Sequence, residues 1–236
     1  MKNIDVCLTP DLLDLYPVEG KIVVIVDILR ATSCMTAAFA NEVKEIIPVS
    51  TVEECKALQQ KGYLAAAERN GEKVEGFDFG NSPFSYMTET VKEKSIAMTT
   101  TNGTVAINKS KTADQVIIGS FLNKQAIIGY LVSQNKDVLV LCAGWKGRVN
   151  LEDTLFAGAV VDALQNEFEC HHDSAMMAQV LYQNAGEDRL KFLSNCSHFK
   201  RLNRLNIQKD IDFCLMEDDK YDVIPVLKGG KLVALS

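Results

Sequence analysis

The stretch Lys21–Thr36, KIVVIVDILRATSCMT, constrains the fold more than any other part of the chain. Its unbroken apolar run Ile22 to Val26 is nearly all β-branched and predicts a central strand buried on both faces. The strand ends on Asp27, Arg30 follows three residues later, and Ala31, Thr32 and Ser33 open a run of small residues that predicts a helix through Ala40. A carboxylate at the C-terminal tip of a buried strand, with hydroxyls and amides at the next helix start, is where open α/β sheets bind ligands. Helix N-termini favour anions, phosphate among them. The expectation is that Asp27 holds a cation and Arg30 a phosphate, with the hydroxyls of Thr32 and Ser33 on the phosphate side.

Around this stretch, strands and helices alternate. Ile4–Leu8, Glu45–Val49, Tyr63–Ala67, Ser95–Thr100, Val116–Gly119 and Asp137–Cys142 read as strands, and the segments between them carry helical signals, including a capped amphipathic run after Ser50–Thr51 and a long helix Leu151–Phe168. Ser85–Lys92 reads as a short helix. The alternation predicts a layered α/β fold with a largely parallel sheet. After residue 170, Ser174–Gln183 and Arg189–Leu205 read as helices and Ile207–Phe213 is ambiguous. Tyr221–Val226 and Lys231–Leu235 read as a closing pair of strands joined at Gly229–Gly230. No repeat or low-complexity linker divides the chain. The expected organisation is one domain over 1–236, with an alternating α/β part (1–168) and a helical extension ending in short strands (169–236).

At 236 residues and 47% hydrophobic the chain can bury a real core. A net charge of −6 without any basic block argues against a nucleic-acid surface. No apolar run reaches the length of a membrane span, and no secretory signal precedes the first strand. The seven cysteines are scattered, with no CxxC, which suits reduced thiols in the cytoplasm.

Two further features carry chemistry. Thr99-Thr100-Thr101-Asn102-Gly103-Thr104 places hydroxyls, an amide and a glycine at a strand-to-helix junction, able to turn several N–H and O–H groups onto one phosphate. The same residues also suit a Thr-rich strand end with an Asn-Gly turn. Secondly, Asp27, Glu68, Asp78, Glu152 and Asp153 all fall at or beyond strand ends. Carboxylates joined by water and phosphate oxygens are what Mg²⁺ prefers, although Glu152 and Asp153 would stabilise a first helical turn without any ligand. Arg30 and Arg148 are candidate forks for phosphate or carboxylate. Cys142 and Arg148 match the Cys-x5-Arg spacing of cysteine phosphatases, while a strand-end Cys equally serves as a small buried hydrophobe. Adjacent His171 and His172 are weak metal evidence, and His198, on a predicted helix, carries no signal of its own. Neither a G-x-G-x-x-G nor a G-x4-G-K-[ST] motif occurs.

Taken in order, VVIVDILRATS, AAERNGEKVEGFDFGNSP, TTTNGT, IIGSFLN and LCAGWKGRVNLED resemble the 2-phosphosulfolactate phosphatase family over roughly the first two-thirds of the chain. The resemblance implies a three-layer α/β/α sandwich with a largely parallel or mixed sheet. It also implies a Mg²⁺-dependent phosphatase that releases 3-sulfolactate from its phosphate ester, a step in coenzyme M synthesis. The family's acid-and-arginine signature falls on Asp27 and Arg30, its glutamate on Glu68, its Asp-x-Gly-Asn-Ser-Pro on Asp78 to Pro83, and its Thr-Asn-Gly-Thr on Thr101 to Thr104. Asp27, Glu68, Asp78, Glu152 and Asp153 then form the candidate Mg²⁺ set. Arg30 and the amides of Thr101 to Gly103, in the loop from Thr100 to Thr104, would stabilise the reacting phosphate. Asn81, Ser82 or Arg148 would take the carboxylate or sulfonate end. Trp145 stands where a small residue is expected and would narrow the pocket. The expected partner is a small anionic phosphorylated substrate, not nucleic acid or membrane, and a homodimer stays open. The competing readings are Cys142 as nucleophile with Arg148 on the phosphate, and a binding module without turnover.

Overall fold

The computed structural model describes residues 2–205, 207–217 and 221–235. The chain runs through β1 (Lys2–Cys7), β2 (Ile22–Val26), α1 (Ala31–Ala40), β3 (Glu45–Pro48), α2 (Val52–Gln59), β4 (Leu64–Arg69) and the short β5 (Glu72–Lys73). It continues with β6 (Ser95–Thr99), α3 (Gly103–Lys109), β7 (Gln115–Gly119), α4 (Lys124–Ser133), β8 (Val138–Cys142) and α5 (Leu151–Leu164). Then follow β9 (Phe168–Glu169), α6 (Asp173–Ala185), α7 (Arg189–Leu193), α8 (Ser197–Leu202), α9 (Gln208–Leu215), β10 (Pro225–Lys228) and β11 (Lys231–Ala234). Among the described residues all eleven strands belong to one mixed sheet, in the order β5-β4-β6-β3-β11-β10-β7-β2-β8-β1-β9.

β2 lies between β7 and β8, parallel to both, and all five of its residues are buried. Alternation along the strand sends its side chains into two cores. Val23 and Ile25 join Cys34, Met35 and Ala38 of α1 with Ala106 and Ile107 of α3. Ile22, Val24 and Val26 join Ile127 and Leu131 of α4 with Leu155, Phe156 and Ala159 of α5. Helices therefore cover both faces, giving the α/β/α layering. Val26 pairs with Gly119 of β7 and Cys142 of β8, so the C-terminal tips of the three central strands lie level and their loops share one rim.

The C-terminal hairpin does not close an edge. β10 runs antiparallel to β7 (Val226 opposite Ile117), and β11 runs antiparallel to β3 (Leu232 opposite Ile46). The hairpin thus joins two parallel blocks, β4-β6-β3 and β7-β2-β8-β1-β9. Its turn places Gly229 at φ 57° and Gly230 at φ 81°. Both lie in the left-handed region that two-residue hairpin turns require and that glycine enters without strain.

Other departures from the sequence reading are local. Ser85–Lys92 is not one helix but two 3-10 turns, Pro83–Tyr86 and Glu89–Val91. The predicted helix Arg189–Leu205 breaks at the polar Ser194–Cys196 into α7 and α8, with a 3-10 turn at Asn203–Leu205. The ambiguous Ile207–Phe213 becomes α9. Among the described residues no helix is long and apolar enough to cross a membrane.

Candidate active site

The backbone at the tip of β2 is held from three sides. Thr32 Oγ1 accepts from the Asp27 N–H (3.1 Å) and donates to the Asp27 carbonyl (3.0 Å), while Ser33 Oγ donates to the Ile28 carbonyl at 2.9 Å. Asp153 accepts from the Ile28 N–H (2.8 Å) with one carboxylate oxygen and from the Gly144 N–H (3.0 Å) with the other. It therefore ties the loop after β2 to the loop after β8. Thr32, Ser33 and Asp153 are occupied in positioning Asp27, and none of them lines the pocket in front of it.

Asp27 and Glu68 leave strands that five others separate in the sheet. The Thr-rich loop after β6 brings them to one place. Glu68 accepts from the Thr101 N–H (3.3 Å) and Oγ1 (3.1 Å) and from the Gly71 N–H. Two residues on, Gly103 presses against Asp27: a Cβ there would stand 3.0 Å from Asp27 Oδ2 and 2.8 Å from the Ala31 side chain. Gly103 thus lets the first turn of α3 approach the carboxylate. Thr100 and Thr104 are engaged with each other, Thr104 N–H donating to Thr100 Oγ1 (3.1 Å) and Thr104 Oγ1 to the Thr100 carbonyl (3.1 Å). They brace the loop rather than offering it hydroxyls.

A pocket of about 240 Å³ opens in front of these groups, with Asp27, Arg30, Glu68, Asn81, Thr101 and Asn102 in its wall. The same wall contains Trp145 and, from α8 and the turn after it, His198, Arg201 and Arg204. Arg30 is buried and already engaged: Nη1 pairs with the Asp210 carboxylate of α9, and Nη2 donates to the Gly71 carbonyl at 2.8 Å. Ser82 Oγ donates to the other Asp210 oxygen at 2.9 Å. Arg30 and Ser82 therefore lock the pocket wall to α9.

Three other predicted residues lie elsewhere. Asp78 accepts from the Ala65 N–H (2.7 Å) and the Gln59 amide (3.2 Å), outside the pocket wall. Arg148 is exposed at the end of a tight turn in which the Trp145 and Arg148 backbones exchange hydrogen bonds of 2.8 and 3.0 Å. Cys142 is fully buried, and burial and then the neighbouring Asp153 push its thiol well above the ordinary range. A thiolate nucleophile needs the opposite surroundings. The Cys142–Arg148 reading therefore loses its physical basis.

Glu152 is fully buried behind the wall and pairs through Oε1 with His198 Nδ1, which also lies 3.2 Å from the Asn150 amide. With Nδ1 engaged, Nε2 is the remaining functional nitrogen of a buried imidazole in the pocket wall. Sequence reasoning missed this residue. The signal was present as a spacing, since His198, Arg201 and Leu205 recur at about one helical turn, but nothing local said which way that face points. The electrostatics centre on Asp27, whose carboxyl is pushed up to about 7. Burial is the main cause; the charge of Glu68 adds to it, and His198 opposes it.

Among the described residues no three His, Cys, Asp or Glu side chains are grouped as a protein-only metal site. Two carboxylates, Asp27 and Glu68, do face one pocket, and the charge of Glu68 disfavours ionisation of Asp27. That donor set suits a cation sharing its sphere with substrate oxygens and water, as Mg²⁺ does, rather than one caged by protein.

Comparison with known proteins finds one family. The profile of a family described as 2-phosphosulpholactate phosphatase matches residues 7–230. A probable 2-phosphosulfolactate phosphatase of Caldanaerobacter subterraneus subsp. tengcongensis is 42% identical over 217 residues, covering 90% of each chain. One from Thermotoga petrophila is 40% identical over 218 residues, 92% of this chain and 93% of its own. One from Clostridium acetobutylicum is 38% identical over 236 residues, 98% of this chain and all of its own (100%).

Proposed function

The chain belongs to the 2-phosphosulfolactate phosphatase family of phosphoric monoester hydrolases, and from that premise we propose that it hydrolyses the phosphate monoester of a small 2-hydroxy acid, 2-phosphosulfolactate to 3-sulfolactate and phosphate, with Mg²⁺. The observation that carries this reading is the convergence of Asp27, Glu68 and the Glu152-backed His198 on one pocket with basic side chains in its wall.

Asp27 and Glu68 would hold the Mg²⁺. When bound, the ion neutralises phosphate oxygens and makes water a better nucleophile. The rest of the work falls to the chain's own side chains. In hydrolysis the bond from phosphorus to the substrate's C2 oxygen breaks, the electron pair stays on that oxygen, and a proton must reach it. His198 is suited to hold that proton at Nε2, because Glu152 against Nδ1 fixes the ring's orientation. Asn102 stands in the pocket wall at the start of α3, and its side-chain oxygen accepts from the Lys146 N–H at 3.1 Å, drawing the Trp145 turn towards the pocket. Trp145 and Leu202 supply apolar wall that excludes water, which strengthens every charge interaction inside.

Phosphate release from a set of phosphorylated 2-hydroxy acids, measured with Mg²⁺, after chelation and after Mg²⁺ is restored, tests the reading. Release that needs the ion and is highest for a doubly acidic ester is expected. No release from any of these esters overturns the substrate class; release untouched by the chelator overturns the cofactor. A second prediction concerns the imidazole. His198→Gln should lower kcat by about 100-fold for an alkyl phosphate, whose leaving oxygen needs the proton. It should cost far less for p-nitrophenyl phosphate, whose leaving group does not. Equal losses on both would assign His198 a packing role instead.

A further inference from the structure

The pocket wall holds more positive charge than a single phosphate and its ion require, and that charge is not evenly engaged. Arg30 is spent on Asp210 and the Gly71 carbonyl. Arg148, exposed at the end of its turn, is outside the wall. Arg201 and Arg204 are in the wall, and neither has a carboxylate partner among the described residues. The Arg201 guanidinium stacks 3.9 Å above the centre of the Trp145 ring, and its Nη2 is buried with no hydrogen-bond partner. Among the described residues its only side-chain contact of that kind is Nη1 to Ser197 Oγ at 3.5 Å, the outer limit for a hydrogen bond.

A buried guanidinium N–H left unpaired is costly unless a ligand completes it. Stacking on Trp145 fixes the plane of the fork and leaves its edge for an oxyanion, the geometry in which arginine recognises planar or tripodal acids. Position matters as well. His198 and Arg201 both stand in the wall, and His198 favours the charged form of Asp27. Arg201 lies one helical turn beyond His198 on α8, a step of about 5 Å.

We propose that Arg201, carried on Trp145 and assisted by Arg204, is the receptor for the second anionic group of the substrate, the carboxylate or sulfonate that does not react, and so sets the preference for doubly acidic phosphate esters. The proposal rests on the phosphatase reading above. It moves the role expected for Asn81, Ser82 or Arg148 onto Arg201 of α8, and it gives Trp145 a function: the ring narrows the pocket by holding the fork in place.

The test compares two esters, 2-phospholactate and isopropyl phosphate, which differ in the carboxylate. Arg201→Met should reduce kcat/KM for 2-phospholactate by about 100-fold, chiefly through KM, and change isopropyl phosphate by less than about 3-fold. Arg201→Lys, which keeps the charge but loses the fork, should fall between. Equal losses on both esters, or wild-type protein indifferent to the carboxylate, overturn the proposal. Calorimetric binding of 3-sulfolactate, which carries no phosphate, supplies a readout independent of turnover. Binding by the wild type that Arg201→Met weakens at least 10-fold supports the receptor even if no ester is hydrolysed, an outcome that would sink the phosphatase reading alone. Unchanged binding in Arg201→Met overturns the receptor. Should that variant fail to fold, Arg201→Gln, whose planar amide can still lie on Trp145, carries the same expectations.

Discussion

Asp27→Asn should reduce Mg²⁺-supported phosphate release by at least about 1,000-fold and, at the same time, make the metal-free protein harder to unfold above neutral pH. The first effect follows from the place of the carboxylate, in the pocket wall with Glu68, where its charge is what a divalent ion needs. The second follows from what that charge costs. The Asp27 carboxyl sits at about 7 in the fold against an ordinary 3.8, because burial and Glu68 both disfavour ionisation. Between those two values the native state holds a proton that the unfolded chain has released, so stability falls as pH rises from about 4 to about 7. At about 1.4 kcal/mol per pH unit the full cost at pH 8 is several kcal/mol. The neutral amide is free of it and can still accept from the Ala31 N–H, which serves the carboxylate now. Thermal unfolding in chelator at pH 5 and pH 8 reads this directly: the wild type should lose more stability across the interval than the variant. A variant less stable than wild type at pH 8 would contradict the stability argument, and one that keeps most of its turnover would contradict the metal role.

The second large effect concerns the C-terminal hairpin. Deleting residues 225–234 should leave a chain without a cooperative unfolding transition. The deletion removes Val226 from one core and Leu232 from the other, residues 1% and 0% exposed. It also strips the hydrogen-bonding partners from β3 and β7, two internal strands that become bare edges and invite aggregation. A gentler probe is Leu232→Ala, which should cost about 2–5 kcal/mol, as truncation of a fully buried Leu does. Lys231 Nζ adds an ion pair to Glu45 at 3.0 Å, but this is half exposed and a minor contributor. Urea midpoints of the two variants are the measurement. A deleted chain that melts cooperatively with full amplitude would mean the two parallel blocks hold together without the bridge.

The central layers were readable because their cause is local. Ile22–Val26 announces two-sided burial in its composition, and Asp27 at its tip follows from chain order. The resemblance carried Glu68 and the Thr101–Thr104 loop to the same neighbourhood, and the hydrogen bonds between Thr101 and Glu68 give that neighbourhood a mechanism. What could not be read is long-range pairing. A carboxylate at a strand end looks the same whether it faces a cation, as Asp27 does in our proposal, or spends both oxygens on backbone amides, as Asp153 does. Arg30 reads as a phosphate fork until Asp210, 180 residues away, is found beside it. His198 gains its meaning from Glu152, 46 residues upstream. No window of sequence contains both members of any of these pairs.

The bridging hairpin also sets a timetable. Glu45 meets Lys231 across 186 residues, so the two blocks of the sheet cannot be joined until Lys231 has left the ribosome. Until then β3 and β7 each wait with an unpaired side. Translation therefore passes through a stage with two sticky edges, the kind of nascent chain on which chaperones act.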